Sequence, residues 1–227
     1  ETVHDVIPLI FPDKFPKGIK GRVKFQIQKF SLKNVAAVIT DSKNSKRDII
    51  KYLRFPKERI YIVPLAPNNE FKLITNCQIL NVVRKKYNLP NAFILYVGDV
   101  NWNKNIEGLI KACAKLQNFL VLVGKAFMNK RLKETQKILR LIKELNLNNR
   151  IKILGYVSKK DLVAVYNLAA VYVQPSFYEG FGLPVLEAMA CGCPVVTSKV
   201  SSLPEIAGNA AVLVSPKKIK DIVRGIK

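Results

Sequence analysis

Residues Gln174 to Ser198 read QPSFYEGFGLPVLEAMACGCPVVTS, a strand end, a glycine-rich loop, a helix and a further strand in immediate succession. The first strand ends at Pro175-Ser176, and the loop carries Glu179, Gly180, Phe181 and Gly182. Pro184 suits a helix start, where its missing N–H would be an orphan in any case. Gly192 suits the stop before the next strand. Glycines let a backbone approach a ligand closely, and the exposed N–H groups with the helix macrodipole favour an anion. This reading puts Glu187 in the first helical turn, so two carboxylates bracket a phosphate-sized cradle. A plainer reading stays open, because an acid near a helix start is favourable by about 0.3–1 kcal/mol through the macrodipole alone.

Outward from this stretch the pattern repeats. Short β-rich runs occur at Phe93–Gly98 (FILYVG), Phe119–Gly124 (FLVLVG), Ile151–Val157 (IKILGYV), Val171–Ser176 (VYVQPS), Pro194–Ser198 (PVVTS) and Ala210–Val214 (AAVLV). Most are apolar throughout, which suits strands covered on both faces of a parallel sheet. Between them, Ile106, Leu109, Ile110, Cys113 and Leu116 share one helical stripe, and Leu132, Thr135, Leu139, Ile142 and Leu145 another. Ser158, with Asp161 three residues on, resembles a capping box. The expected architecture is a doubly wound α/β domain with ligands beyond the carboxyl ends of its strands.

The first 65 residues carry the same pattern more thinly. Val3–Ile10 reads as a strand, Val35–Ser42 as a second and Arg59–Leu65 as a third, with a helix over Ser45–Phe55 closed by Pro56. The division is therefore a partial α/β domain at 1–65, a linker at 66–70 and a nearly complete domain at 71–227. The chain opens at Glu1 without a charged-then-apolar leader and closes on Ile222–Lys227 inside a helical pattern, reading as cut at both ends.

With 227 residues, 49% hydrophobic and 24% charged, the chain can bury a core and is not disordered. No apolar run reaches the roughly 20 residues of a membrane-spanning helix. Cys77, Cys113, Cys191 and Cys193 are too scattered for a disulfide scaffold and read as a reducing compartment. Cys191 and Cys193 lack a second pair at zinc spacing, and the single histidine, His4, excludes a His-rich metal site.

The signature Glu179-Gly180-Phe181-Gly182-Leu183-Pro184, then Glu187-Ala188-Met189-Ala190, Gly192, Pro194-Val195-Val196 and Leu203-Pro204-Glu205 with Gly208, resembles the retaining, nucleotide-sugar-dependent glycosyltransferases of family 4. The two glutamates separated by seven residues belong to it. The likeness continues through Tyr96-Val97-Gly98 with Lys104-Asn105, Val121 to Gly124, Ile153 to Val157, Val3-His4-Asp5 and Ile39 to Ser42. It implies the GT-B fold: a carboxyl-terminal Rossmann-like domain, nearly complete, and a remnant of the amino-terminal one that lacks its glycine-rich loop and most of the acceptor site.

The resemblance also implies roles. Glu179 meets the donor sugar hydroxyls, with a solvated loop acid as the alternative. Lys104 neutralises the leaving diphosphate, unless it is one more surface lysine. His4 approaches the donor sugar from the amino-terminal side, against a structural role. Glu187 accepts from the ribose hydroxyls. Gly98, Asn101, Gly180, Phe181, Gly182 and Leu183 line the donor, and Tyr156 and Val157 face the nucleobase largely through backbone, with packing of the Tyr ring as the alternative. No metal or cofactor is required, the substrate being a nucleotide diphosphate sugar. Where the family commonly has arginine after the glycine matched by Gly98, this chain has Asp99, which would repel phosphate if turned inward. An inactive fragment that only binds nucleotide sugar, a scaffold subunit, and an epimerase or phosphorylase on the same fold are the rival readings.

Charge is the remaining anomaly: 38 Lys and Arg against 16 Asp and Glu, a formal net of +22. A nucleic-acid-binding module is the obvious reading, but the basic residues are spread over helices without aromatic-basic interleaving, so no nucleic-acid partner is expected. Lys14, Lys17, Lys20, Arg22, Lys24, Lys29 and Lys33 form an acid-free run with Phe15, Phe25 and Phe30. It reads either as solvated helix surface or as a patch meeting anionic lipid, each cation contributing about 1 kcal/mol. The second reading fits a lipid-linked or glycan acceptor and a cytoplasmic protein peripheral on the inner face of a membrane.

Overall fold

The computed structural model describes residues 1–15, 18, 30–32 and 34–227. Strands β3 (Phe93–Val97), β4 (Phe119–Val123), β5 (Ile151–Gly155), β6 (Val171–Gln174), β7 (Val195–Ser198) and β8 (Val212–Val214) form one parallel sheet in the order β5-β4-β3-β6-β7-β8. The pleat sorts their apolar residues to two faces. Phe93, Leu95, Val121, Val123, Tyr172 and Val195 face one core with the helices Cys77–Lys86, Lys159–Leu168, Leu183–Ala190 and Leu203–Ala207. Ile94, Tyr96, Leu120, Leu122, Val173 and Val196 face the other, with the helices Ile106–Ala114, Lys133–Glu144 and Ile219–Ile226. Each fully buried Leu of these strands contributes about 1.5–3 kcal/mol, which is why the runs are apolar without alternation.

The strand order places the site. The chain runs outward from β3 through β4 to β5, then returns to lay β6 on the other side of β3. The winding reverses between β3 and β6, and in open α/β sheets the crevice at that reversal, outside the carboxyl ends of the strands, takes the ligand.

The amino-terminal portion is smaller. Strands β1 (Val38–Thr40) and β2 (Ile60–Ile62) pair in parallel, and Thr2 bridges to Ile39. Val38, Ile49, Phe55, Ile60, Val6 and Leu32 form a separate small core. Ile39 and Tyr61, register partners on the opposite face, are exposed.

Several sequence expectations shift here. The strand expected over Val3–Ile10 shrinks to the bridge at Thr2, followed by a helix at Ile7–Ile10. The cause is local: Asp5 Oδ1 accepts from the Ile7 amide at 3.0 Å, and Pro8 sits in the first turn, where it fits. The helix expected over Ser45–Phe55 begins earlier, at Lys43, because Ser42 caps it by accepting from Ser45 N at 2.9 Å. Past Asp48 it loosens into a π-helical turn, Ile49–Leu53, that ends at Arg54 with φ 54°. In Lys133–Glu144 the buried stripe is Thr135, Ile138 and Ile142; Leu139 is half-buried and Leu145 exposed. Ser158 caps Lys159–Leu168 as expected, accepting from Asp161 N at 3.3 Å. The Asp161 carboxylate meanwhile takes Lys86 Nζ at 2.6 Å and Tyr87 OH at 2.8 Å, tying that helix to Cys77–Lys86. Of the run Lys14–Lys33, Lys17, Lys20, Arg22, Lys24, Lys29 and Lys33 lie outside the described residues.

Candidate functional site

Two loops meet at the reversal, one after β3 and one after β6, and they are zipped together by hydrogen bonds. Phe177 N donates to Asn103 O at 2.7 Å, and Asn103 Nδ2 donates to Tyr178 O at 3.0 Å. Asn105 takes the left-handed conformation (φ 55°) that closes the short turn Trp102–Lys104, and its buried Nδ2 donates to Pro175 O and Pro216 O, each at 2.9 Å. Asparagine tolerates that backbone better than most residues. The turn is thereby aimed so that Lys104 faces Glu179.

Lys104 Nζ lies 2.9 Å from Glu179 Oε1 and 2.8 Å from Oε2. Glu179 is buried, and its Oε1 also accepts from Ser176 Oγ at 2.7 Å and Gln174 Nε2 at 3.0 Å. Gln174 Oε1 in turn accepts from Tyr172 OH at 2.6 Å. The carboxylate is therefore held by a cation and two neutral donors, the satisfaction a buried charge requires. Burial, with the Glu179 charge adding to it, pushes the Tyr96 and Tyr172 hydroxyls well above the ordinary tyrosine value. They stay protonated and serve as donors.

Glu187 is placed differently from its expected position. The helix Leu183–Ala190 makes it the fifth residue, beyond the first turn, so the dipole reading loses its basis. Its Oε2 accepts from Tyr166 OH at 2.9 Å, and burial raises its pKa above the ordinary carboxylate value against that hydrogen bond. The helix itself opens at Gly182, φ 122°, where a Cβ would sit 2.8 Å from Leu203 Cδ2, so a side chain is excluded. Ahead of it, the amides of Phe181 and Gly182 donate to no acceptor among the described residues, leaving two free donors beside the helix start at Leu183.

At the carboxyl edge, Gly98 and Gly124 follow β3 and β4, and Gly155 ends β5 beside them. Gly98 N donates to Val123 O and Gly124 N to Gly155 O. A Cβ on Gly124 would lie 2.1 Å from Gly98 O. The contrary charge at Asp99 is contained: Oδ1 accepts from Val100 N at 2.7 Å and Oδ2 from Asn101 Nδ2 at 3.2 Å. The acid thus folds onto its own turn, and half of the Asn101 amide is committed there. Tyr156 is 66% exposed with Lys125 Nζ 4.5 Å from its ring centre, whereas Val157 is buried in the core and contributes no side chain to the crevice.

From the amino-terminal portion, Ser42 Oγ and Ser45 Oγ donate to Gly180 O at 2.7 and 2.9 Å. A Cβ on Gly180 would meet Asp5 Cβ at 2.7 Å. His4 is thereby adjacent to the Glu179 loop. Its partner is not the sequence neighbour Asp5, which caps Ile7, but the buried Asp41, with Oδ2 2.7 Å from Nδ1. Asp41, Gln174, Ser176 and Tyr166 were not among the expected site residues. Asp41 could have been found from its place just after β1, at a strand's carboxyl end; the other three sit in strand, loop and helix patterns that read as packing. A separate cavity of about 340 Å³ lies beyond the Trp102–Lys104 turn, lined by Asn101, Trp102, Glu107, Lys111, Lys137 and Lys217 among others but by neither Glu179 nor Glu187.

Among the described residues no group of three or more His, Cys, Asp or Glu side chains could hold a metal ion, and no helix is long and apolar enough to cross a membrane. The sequence profile described as "Glycosyl transferases group 1" matches residues 81–227, more than half the chain. The chain belongs to the group 1 glycosyl transferases. It is 34% identical to the O-antigen chain mannosyltransferase B of Escherichia coli over 97% of this chain and 58% of that one. It is 29% identical to the O-antigen chain mannosyltransferase RfbU of Salmonella typhimurium over 100% and 59% respectively. This group 1 chain thus spans little more than half the length of those curated relatives. Among solved structures it resembles the sucrose-phosphate synthase tll1590 from Thermosynechococcus elongatus, with a TM-score of 0.82, 27% identity, and coverage of 99% of this chain and 56% of that one. Anabaena Alr3699/HepE in complex with UDP-glucose gives a TM-score of 0.83 at 22% identity, over 99% and 60%. The α/β fold with parallel sheets is therefore that of GT-B glycosyltransferases, of which this chain is a part.

Proposed function

We propose that the chain is the donor-binding part of a retaining glycosyltransferase of family 4, moving a hexose, mannose by analogy with its relatives, from a nucleotide diphosphate to a glycan or lipid-linked acceptor. The observation that carries this reading is the pair of half-buried Lys104 and buried Glu179 at the β3/β6 reversal, beside the free amides of Phe181 and Gly182. In the reaction the bond from the anomeric carbon to the diphosphate oxygen breaks with its electrons on that oxygen, while the acceptor hydroxyl oxygen bonds to the carbon on the same face and its proton passes to the departing diphosphate. Charge grows on the departing diphosphate, where Lys104 and the start of Leu183–Ala190 stabilise it more than in the ground state.

Glu179, fixed by Ser176 and Gln174, accepts from the sugar hydroxyls, and Glu187 accepts from the ribose. His4, oriented by Asp41, meets the sugar from the other side of the crevice, and the Gly155–Val157 backbone with Tyr156 meets the base. No metal takes part. Residues 1–65 and 71–227 act as two domains hinged at 66–70, closing to exclude water. We place the protein in the cytoplasm, peripheral on the inner face of the membrane, where a lipid-linked acceptor would be reached. Product analysis with a panel of nucleotide sugars and glycan or lipid-linked acceptors tests this: transfer with retained anomeric configuration is expected, and inversion or free-sugar release alone would defeat it.

A further inference from the structure

The helix that caps on Ser42 carries a feature that donor binding does not use. Lys43, Lys46, Arg47 and Ile50 stand at i, i+3, i+4 and i+7 and so share one face. With Ile62 and Glu205 they line an open groove of about 490 Å³. Lys43 Nζ makes no hydrogen bond or ion pair with the described residues. Lys46 Nζ donates to Ile60 O at 2.7 Å and Arg47 to Asn44 Oδ1 at 3.3 Å, so neither charge is neutralised by its hydrogen-bond partner. Two acids stand nearby and keep their charge: Glu205, which also lines the groove, has Oε1 accepting from Lys43 N at 2.7 Å, and Asp48 Oδ2 accepts from Tyr178 OH and Asn44 Nδ2, so the three cations exceed the two acids by one. Because Glu205 occupies the first amide, the lysine and arginine side chains, not the helix end, give the groove its positive potential.

Position adds to chemistry. Ser42 and Ser45, flanking Lys43, hold the Gly180 carbonyl, so the groove opens next to the loop that carries Glu179. Ile50 and Ile62 add an apolar part to its lining. Three cations beside an apolar strip complement an anion attached to something apolar or bulky. We propose that this groove binds a phosphate or diphosphate group carried by the acceptor, a subsite distinct from the donor diphosphate site. The assignment to the acceptor rests on the transferase reading; the anion site itself does not.

The test is calorimetric titration of inorganic pyrophosphate into the whole chain, its Lys43→Gln/Arg47→Gln variant and a charge-matched control, Lys133→Gln/Lys143→Gln. The groove variant should lose one pyrophosphate equivalent per chain and the control none, while nucleotide diphosphate affinity stays within twofold in both. Lys43→Ala alone, the mildest change to the helix, should weaken that equivalent about threefold to tenfold. An unchanged stoichiometry in the groove variant, or equal loss in the control, overturns the proposal. Loss of nucleotide binding in the parent chain would instead sink the donor reading and leave this one standing. Flotation with phosphatidylglycerol vesicles separates the sources: sensitivity to the groove variant there assigns a lipid-borne phosphate, and sensitivity in the titration alone assigns a soluble one.

Discussion

Glu179 and Glu187 stand on one loop-helix unit yet occupy opposite electrostatic situations. Glu179 has both oxygens on Lys104, with Ser176 and Gln174 adding two further donors to Oε1. Glu187 has a single donor, Tyr166, and burial raises its pKa. A carboxylate with one oxygen filled by three donors is held in place before ligand arrives, and its Oε2, with Lys104 alone, keeps room for a sugar hydroxyl. One that is desolvated with acceptor capacity to spare gains from a ligand's hydroxyls. The same residue type thus does two jobs, and the difference comes from what the flanking strands and helices bring near each one.

The sharpest way to break that contrast is to truncate each acid. Glu179→Ala leaves the half-buried Lys104 cation unpaired and should destabilise the fold by about 3–5 kcal/mol, read as a fall in thermal midpoint. The double variant with Lys104→Ala should cost clearly less than the two single changes added together, since they share one interaction. Gly182→Ala should come next, at about 1–3 kcal/mol, from a strained φ and the contact with Leu203.

Ser42→Ala should cost about 1 kcal/mol through loss of the cap and the bond to Gly180, visible in a denaturant midpoint.

Glu187→Gln should behave in the reverse sense. A raised folded pKa means the native state prefers the protonated acid, so this group's stabilising contribution is present below the unfolded pKa and is lost as pH rises through the folded one. At neutral pH the Gln variant should therefore be as stable as the parent or slightly more so, but bind nucleotide more weakly. Nucleotide affinity of the parent should fall as pH drops through the raised pKa, above the ordinary carboxylate range, and the Gln variant should lack that step. A pH series of titrations on both proteins checks it.

Much of this was legible in the residues. The six runs from Phe93 onward each contain an observed strand, because a strand covered on both faces must be apolar along its length. The glycine-rich loop and its helix start were legible because Gly182 and Pro184 each suit few backbone settings. Partnerships across the fold were not. That Asp41 rather than Asp5 holds His4, or that Tyr166 reaches Glu187, depends on how helices and strands far apart in sequence are packed, and no local spacing encodes it. Glu187 fell beyond the first turn because the helix starts at Leu183, just after Gly182 and one residue ahead of Pro184. The strand expected at Val3–Ile10 failed for the opposite reason, since two local devices, Asp5 and Pro8, overrode an apolar run.

The central claim is that the crevice between β3 and β6 holds a diphosphate through Lys104 and the Gly180–Leu183 backbone. Calorimetric titration of a panel of nucleotide diphosphates into the parent chain and its Lys104→Ala variant tests it most directly. At least one nucleotide should bind the parent saturably at one site and the variant at least tenfold more weakly. No binding of any nucleotide diphosphate, or equal affinity in both proteins, would contradict it.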